Sequence, residues 1–223
     1  MKLHITWLIL CTIILTACKT RQTAALPFQD AIDKFKTEDA LVKNKEDVIL
    51  FTGSSSFTFW KGIKQDLGCK KIVNRGFGGS SLTDLINHRK VLFRTYSPKQ
   101  IFIYCGENDL ASNDRITPIE VLERWKILHS YIRKKNKKCP VYFISLKPSP
   151  SRWHLRNEMM EVNKLIKAYN ASVENTFFID IWPYMITPSN VPKPEIFLKD
   201  SLHMNNNGYD IWVDHLVPKL DCN

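Results

Sequence analysis

Three consecutive serines at Ser54-Ser55-Ser56, an amide at Asn108 within Gly106-Glu107-Asn108-Asp109, and an Asp-x-x-His pair at Asp200 and His203 are the residues of this chain best suited to acyl chemistry. A neutral serine hydroxyl is a poor nucleophile and needs an adjacent base to take its proton. Imidazole can take that proton near neutral pH and return it to a leaving alcohol. A carboxylate three residues away can hold the ring in the required tautomer from the same loop. An oxyanion could be met by the side-chain amide of Asn108 and by backbone N–H groups within Gly76-Phe77-Gly78-Gly79, where glycine lets the backbone come close to a substrate. Each fragment alone is weak, because a serine-rich turn is usually a turn and helix cap.

The elements that must position these groups are legible as five short apolar runs. They are Val48–Phe51, Ile72-Val73, Ile101–Tyr104, Val141–Ile144 and Phe177–Ile179. Runs apolar on both faces are what a parallel sheet covered by helices requires. The intervening segments carry helical spacing. Phe28, Ile32, Phe35 and Leu41 share one predicted face. Leu82, Leu85, Ile86, Phe93 and Tyr96 share a second, and Leu122, Trp125, Leu128 and Ile132 a third. Met159, Val162, Leu165, Ile166 and Tyr169 repeat the pattern, and a last helix is predicted from about Asn206 to Val217. Alternation of this kind predicts a three-layer α/β/α domain.

In such sheets ligands bind beyond the carboxyl ends of the strands. The segments that follow the five runs are Thr52–Ser56, Asn74–Ser80, Gly106–Asp109, Lys147–His154 and, after a long loop, Asp200–His203. A nucleophile, backbone-donor glycines, an amide and an Asp/His pair therefore fall on one rim. Their conjunction and order carry the weight.

Phe51-Thr52-Gly53-Ser54-Ser55, Gly79, Gly106-Glu107-Asn108-Asp109 and Asp200-Ser201-Leu202-His203 resemble the four blocks of the SGNH (GDSL-type) hydrolases, in the same order and across nearly the whole chain after its first segment. The resemblance implies a flavodoxin-like α/β/α sandwich with a five-stranded parallel sheet of order 2-1-3-4-5. It implies an ester hydrolase with Ser55 as nucleophile, His203 as base and Asp200 orienting it. The oxyanion hole would be the N–H groups of Ser55 and Gly79 and the amide of Asn108. It also implies that neither a metal nor an organic cofactor is needed. Ser54 stands where the family's name motif has Asp, a departure that bears on a supporting hydrogen bond rather than on the chemistry. Ser54 and Ser56 compete with Ser55, Gly78 with Gly79, and Asp180 with Asp200. Arg152, Trp153 and His154 are expected to shape the substrate cleft. Phe57, Phe59 and Trp60, at helical spacing after the nucleophile, read as core, and His88, His129 and His215 as surface or packing residues.

The first segment stands apart from the domain. Lys2 is followed by an almost wholly apolar stretch, Ile5–Leu15, too short for a spanning helix and suited to a secretory leader. It ends in Leu15-Thr16-Ala17-Cys18, which resembles the lipobox of bacterial lipoproteins and implies cleavage before Cys18 and lipidation of Cys18. The expected organisation is a leader over residues 1–17, a lipidated tether over 18–27 and the hydrolase domain over 28–223, held at a bacterial envelope by multiple acyl chains.

The chain has 223 residues, 44% hydrophobic and 24% charged, with a formal charge of +10. These fractions suit one ordinary globular domain and exclude disordered, collagenous and multi-span membrane classes. Charge is spread along the chain apart from Arg133-Lys134-Lys135-Asn136-Lys137-Lys138, where cations complement a predicted helix end. An exported chain with no aromatic-and-basic motif is not expected to bind nucleic acid. Cys69, Cys105, Cys139 and Cys222 are expected as buried free thiols, packing as small hydrophobes.

The functional expectation is a tethered serine esterase acting on short acyl groups, such as acetyl esters of carbohydrate. A lysophospholipase or thioesterase for longer chains is the alternative within enzymes. A non-catalytic binding lipoprotein on a hydrolase scaffold is the alternative outside them.

Overall fold

All five apolar runs become parallel strands. A computed structural model describes residues 26–112 and 116–222; the expected leader, Cys18 and all but the last two residues of the tether lie outside them. The strands are β1 (Glu46–Gly53), β2 (Ile72–Gly76), β3 (Ser97–Tyr104), β4 (Val141–Ile144) and β5 (Thr176–Ile179), in the order 2-1-3-4-5. Helices α1 (Gln29–Leu41), α2 (Ser55–Phe59), α3 (Ile63–Asp66), α4 (Leu82–Asn87), α5 (Arg89–Arg94), α6 (Glu107–Leu110), α7 (Pro118–Lys135), α8 (Arg156–Ala171) and α9 (Asn206–Leu216) surround the sheet. This is the expected three-layer α/β/α sandwich.

Side chains of a strand alternate between faces, and each face of this sheet has its own core. Leu50, Ile101, Ile103 and Phe143 pack with α1, α4, α7 and α8 on one side. Ile49, Phe51, Phe102 and Tyr104 pack with α2, α3 and α9 on the other. On that second face the register pairs Phe51 with Phe102, Phe102 with Tyr142, and Tyr142 with Phe177. Their rings stack in succession with centroids 4.6, 4.6 and 4.9 Å apart, and such cross-strand aromatic pairs pin register.

Three expectations are corrected. The first helix starts after Phe28, which has a left-handed backbone, and Leu41 at its end is 80% exposed. The buried residue of that last turn is Asp39, because it pairs with Arg75 and Tyr96. The predicted helix through Leu82 and Tyr96 breaks at His88, and Tyr96 lies outside it altogether. His88 leaves helical geometry and its Nε2 lies 2.6 Å from the carbonyl oxygen of Pro27, so α4 and α5 pack as separate pieces.

The third correction concerns the thiols. Cys69 and Cys222 form a disulfide with their Cα atoms 5.6 Å apart, while Cys105 and Cys139 are free. The tail beyond α9 runs back along the start of β3, where the Gln100 side chain donates to the Lys219 carbonyl at 2.7 Å and accepts from the Asp221 N–H at 2.8 Å. That return brings Cys222 to Cys69, three residues before β2, across 153 residues of sequence.

Candidate active site

The strand ends form the rim the sequence predicts. Gly53 closes β1 at φ +147, where a Cβ would fall 1.9 Å from the Tyr104 carbonyl oxygen. Only glycine lets β1 and β3 converge there. The Ser54 N–H donates to that oxygen at 3.0 Å, which turns the chain into α2 with Ser55 as its first residue. Ser54 and Ser56 are 3% and 2% exposed, whereas Ser55 is partly open to solvent. Ser54 fills the helix cap without a side-chain capping bond.

The loop after β2 wraps against this turn. A side chain at Gly78 would begin 3.8 Å from Ser55 Cβ, and Gly79 has φ +84, a conformation that favours glycine. The Ser80 hydroxyl donates to the Gly53 carbonyl at 3.2 Å. The Ser80 carbonyl in turn accepts from Asn108 Nδ2 at 2.9 Å, so the amide of α6 is tied to the turn at Gly53 through one residue. Asp109 beneath it accepts from the Leu82 N–H at 2.9 Å and pairs with Arg124 at 2.7 Å. Burial pushes the Asp109 carboxyl up despite these bonds.

Asp200 and His203 stand on a braced loop. His203 Nδ1 lies 2.7 Å from Asp200 Oδ2, and Asp200 Oδ1 accepts from the N–H groups of Leu202 and His203, both at 2.9 Å. Burial acts to raise the Asp200 carboxyl, but the bonds from His203 and the two N–H groups prevail and bring it down to about 2. Asp200 is therefore an acceptor at neutral pH, which places the imidazole proton on Nδ1 and leaves Nε2 able to accept one. Leu198 N–H donates to the His203 carbonyl at 2.7 Å, and Ser151 N–H to the Ser201 carbonyl at 3.0 Å. Asp180 is occupied elsewhere, accepting from the Trp182 N–H at 3.3 Å and lying 3.9 Å from Lys167.

The structure links the histidine to α2 through Phe59, whose ring centroid is 4.4 Å from that of His203. Among the described residues no hydrogen bond joins Ser55 Oγ to His203. Phe57 and Trp60 are core as expected, but Phe59 is 48% exposed beside the imidazole. Arg152 reaches the site, donating to Asn108 Oδ1 at 2.8 Å. Trp153 stacks on Trp182 with centroids 6.0 Å apart, and His154 is exposed.

Sequence reasoning assigned no role to Glu107 or Lys147. Both are buried, with Lys147 Nζ 2.8 Å from Glu107 Oε2 and Arg152 Nη1 3.2 Å from Glu107 Oε1. The Tyr104 hydroxyl also donates to Glu107. Burial pushes the Glu107 carboxyl up, but the Lys147 and Arg152 charges outweigh it and lower its pKa; burial keeps Tyr104 protonated. The signal was in the sequence, since a Lys three residues past a buried strand, next to buried Leu146, must find an acid.

The sequence model of the GDSL-like lipase/acylhydrolase family matches residues 49–211. A search of curated proteins found no match. Solved structures similar to this one include a GDSL-like lipase from Bacteroides thetaiotaomicron, 21% identical over 84% of this chain and 97% of that one, with a TM-score of 0.68. A lipase/acylhydrolase from Enterococcus faecalis is 22% identical over 79% and 98%, with a TM-score of 0.62. A family 3 carbohydrate esterase from Clostridium thermocellum is 14% identical over 78% and 97%, with a TM-score of 0.61. With the family's blocks spanning the sheet from β1 to α9, this chain belongs to the GDSL-like lipases and acylhydrolases.

Proposed function

We propose that the protein is a serine carboxylic ester hydrolase in which Ser55 attacks the acyl carbon, His203 Nε2 takes its proton and Asp200 holds the imidazole. The carbonyl oxygen becomes an oxyanion facing the N–H groups of Ser55 and Gly79 and the free N–H of Asn108. His203 returns the proton to the leaving alcohol, and water then releases the acid by the same route in reverse. The observation that carries this reading is the Asp200–His203 pair at 2.7 Å, with Asp200 fixed by two backbone N–H groups. The accessibility of Ser55 between two buried serines supports it as the nucleophile.

The substrate in this reading is a short-acyl ester, such as an acetyl group on carbohydrate. Asn108, Asp200 and His203 give the rim a polar character suited to sugar hydroxyls, and the single ring of Phe59 suffices for a short acyl group. The fold shared with a carbohydrate esterase is in keeping with this. Tethering to a bacterial envelope through lipidated Cys18 belongs to the same proposal and rests on Leu15-Thr16-Ala17-Cys18. The test is hydrolysis of p-nitrophenyl acetate, butyrate and octanoate by the protein and by Ser55→Ala. Rates falling from acetate to octanoate and lost in the variant are expected. A profile rising toward octanoate would contradict the short-acyl assignment, and full activity in Ser55→Ala would contradict the mechanism.

A further inference from the structure

Asn108 can serve an oxyanion only if its amide is held one way round, with NH2 and not the carbonyl toward the substrate. The structure pins both ends. Nδ2 donates to the Ser80 carbonyl at 2.9 Å, and Oδ1 accepts from Arg152 Nη2 at 2.8 Å. Flipping the amide would set oxygen against oxygen and donor against donor, each leaving an unsatisfied group. With one N–H spent on Ser80, the second is the one left for substrate.

Arg152 does more than lock the flip. A charge-assisted bond to the amide oxygen draws electron density from the nitrogen and makes the remaining N–H a stronger donor. Arg152 is itself held by Glu107, which is held by Lys147 and Tyr104. Glu107 and Lys147 side chains are 3% and 2% exposed, and Arg152 is 19% exposed. Two cations around one carboxylate leave a net positive charge behind the amide, in a setting where water screens it poorly. That charge favours a developing anion on the other side of Asn108.

We propose that Arg152 is a positioning residue that fixes and polarises the Asn108 amide for the oxyanion, with Glu107 and Lys147 holding its guanidinium in place. This rests on the reading of Asn108 as an oxyanion donor. It differs from a direct substrate contact for Arg152, because Nη2 donates to Asn108 and Nη1 lies against the Glu107 carboxylate.

The test compares Arg152→Ala, Asn108→Ala and the double variant on p-nitrophenyl acetate. Loss of one oxyanion donor costs about 10²–10³ in rate, so weakening that donor through Arg152 should lower kcat by about 10–100-fold while KM moves less than about threefold. In the Asn108→Ala background the Arg152 change should cost less than about threefold more, since the two act as a unit. Added guanidinium ion should restore part of the kcat of Arg152→Ala. A raised KM with kcat kept, or losses that multiply in the double variant, would overturn the proposal. A second readout needs no catalysis: the side-chain NH2 signals of Asn108, assigned by their loss in Asn108→Ala, should move toward those of solvent-exposed asparagines in Arg152→Ala. Unmoved signals would overturn the proposal even if the protein shows no esterase activity, the outcome that would defeat the functional reading instead. Should Arg152→Ala not fold, Arg152→Lys keeps a cation near Glu107 without the second arm. It should show the same losses, and parental kcat with parental amide signals would count against the proposal.

Discussion

Phe59, one helical turn after Ser55, holds its ring 4.4 Å from the imidazole of His203 at an angle of 48°. The residue is 48% exposed, so the contact does little for the core. It limits where the imidazole can swing relative to the start of α2. Phe59→Ala should therefore lower kcat/KM by about 10-fold through a displaced base. As a surface change it should alter stability by no more than about 1 kcal/mol. Steady-state rates beside a thermal melt check this, and an unchanged kcat/KM would remove Phe59 from the site.

Asp200 keeps its charge because three donors meet it, and at a pKa of about 2 it stays ionised through any ordinary assay range. It should contribute no limb to the pH–rate profile between pH 4 and 9. Asp200→Asn replaces the acceptor with an amide that can donate to Nδ1, which favours the wrong imidazole tautomer. A loss of about 10²–10⁴ in kcat is expected with KM little changed. A variant within threefold of the parent would show that His203 is oriented by something else.

His129 gives the fold a pH dependence away from the site. Burial, and then the Arg133 charge, lower its pKa to about 4. Arg133 Nε donates to His129 Nε2 at 3.2 Å, so the ring proton sits on Nδ1, 3.0 Å from the Tyr169 hydroxyl. In the unfolded chain a histidine titrates near its reference value of about 6.5, so the unfolded state takes up the proton first as pH falls. The stabilisation is present above about pH 6.5 and is lost progressively toward pH 4. Melting temperatures from pH 8 to 4 should fall more steeply for the parent than for His129→Gln. Parallel curves would contradict the assignment.

The Cys69–Cys222 bond closes a very long loop. A bond of this kind typically adds about 2–4 kcal/mol. At about 2–4 °C per kcal/mol for a domain of this size, Cys222→Ser should melt roughly 4–16 °C lower. Reductant should lower the parent toward the variant and leave the variant itself unmoved. A parent insensitive to reductant would argue against the disulfide.

The sheet was legible because each strand is a continuous apolar run, and the rim was legible because polar residues follow every run. Helix ends and breaks were not. Leu41 fits the helical spacing yet is exposed, while Asp39 is buried through Arg75, a partner 36 residues away that no local pattern reveals. The break at His88 depends on the Pro27 carbonyl, and the disulfide on where the tail returns past Gln100. Within the site, Asp200 and His203 share one short loop and stood out through their order behind the other rim residues rather than by their spacing alone. Phe59 was read as core because periodicity reports which helical face is apolar, not what that face meets. Arg152 was expected in the cleft, but that it holds Asn108, and that Lys147 pairs with Glu107, depends on partners about 40 residues away in the chain.

The central claim is that Ser55 is the nucleophile, and it is tested most directly by labelling with diethyl p-nitrophenyl phosphate followed by peptide mass mapping. Attack by the activated hydroxyl displaces p-nitrophenolate and leaves a diethylphosphoryl group on the attacking oxygen. The account predicts a single adduct on Ser55, formed in step with loss of esterase activity and absent from His203→Ala. An adduct on Ser54 or Ser56, or full inactivation with Ser55 unmodified, would contradict it.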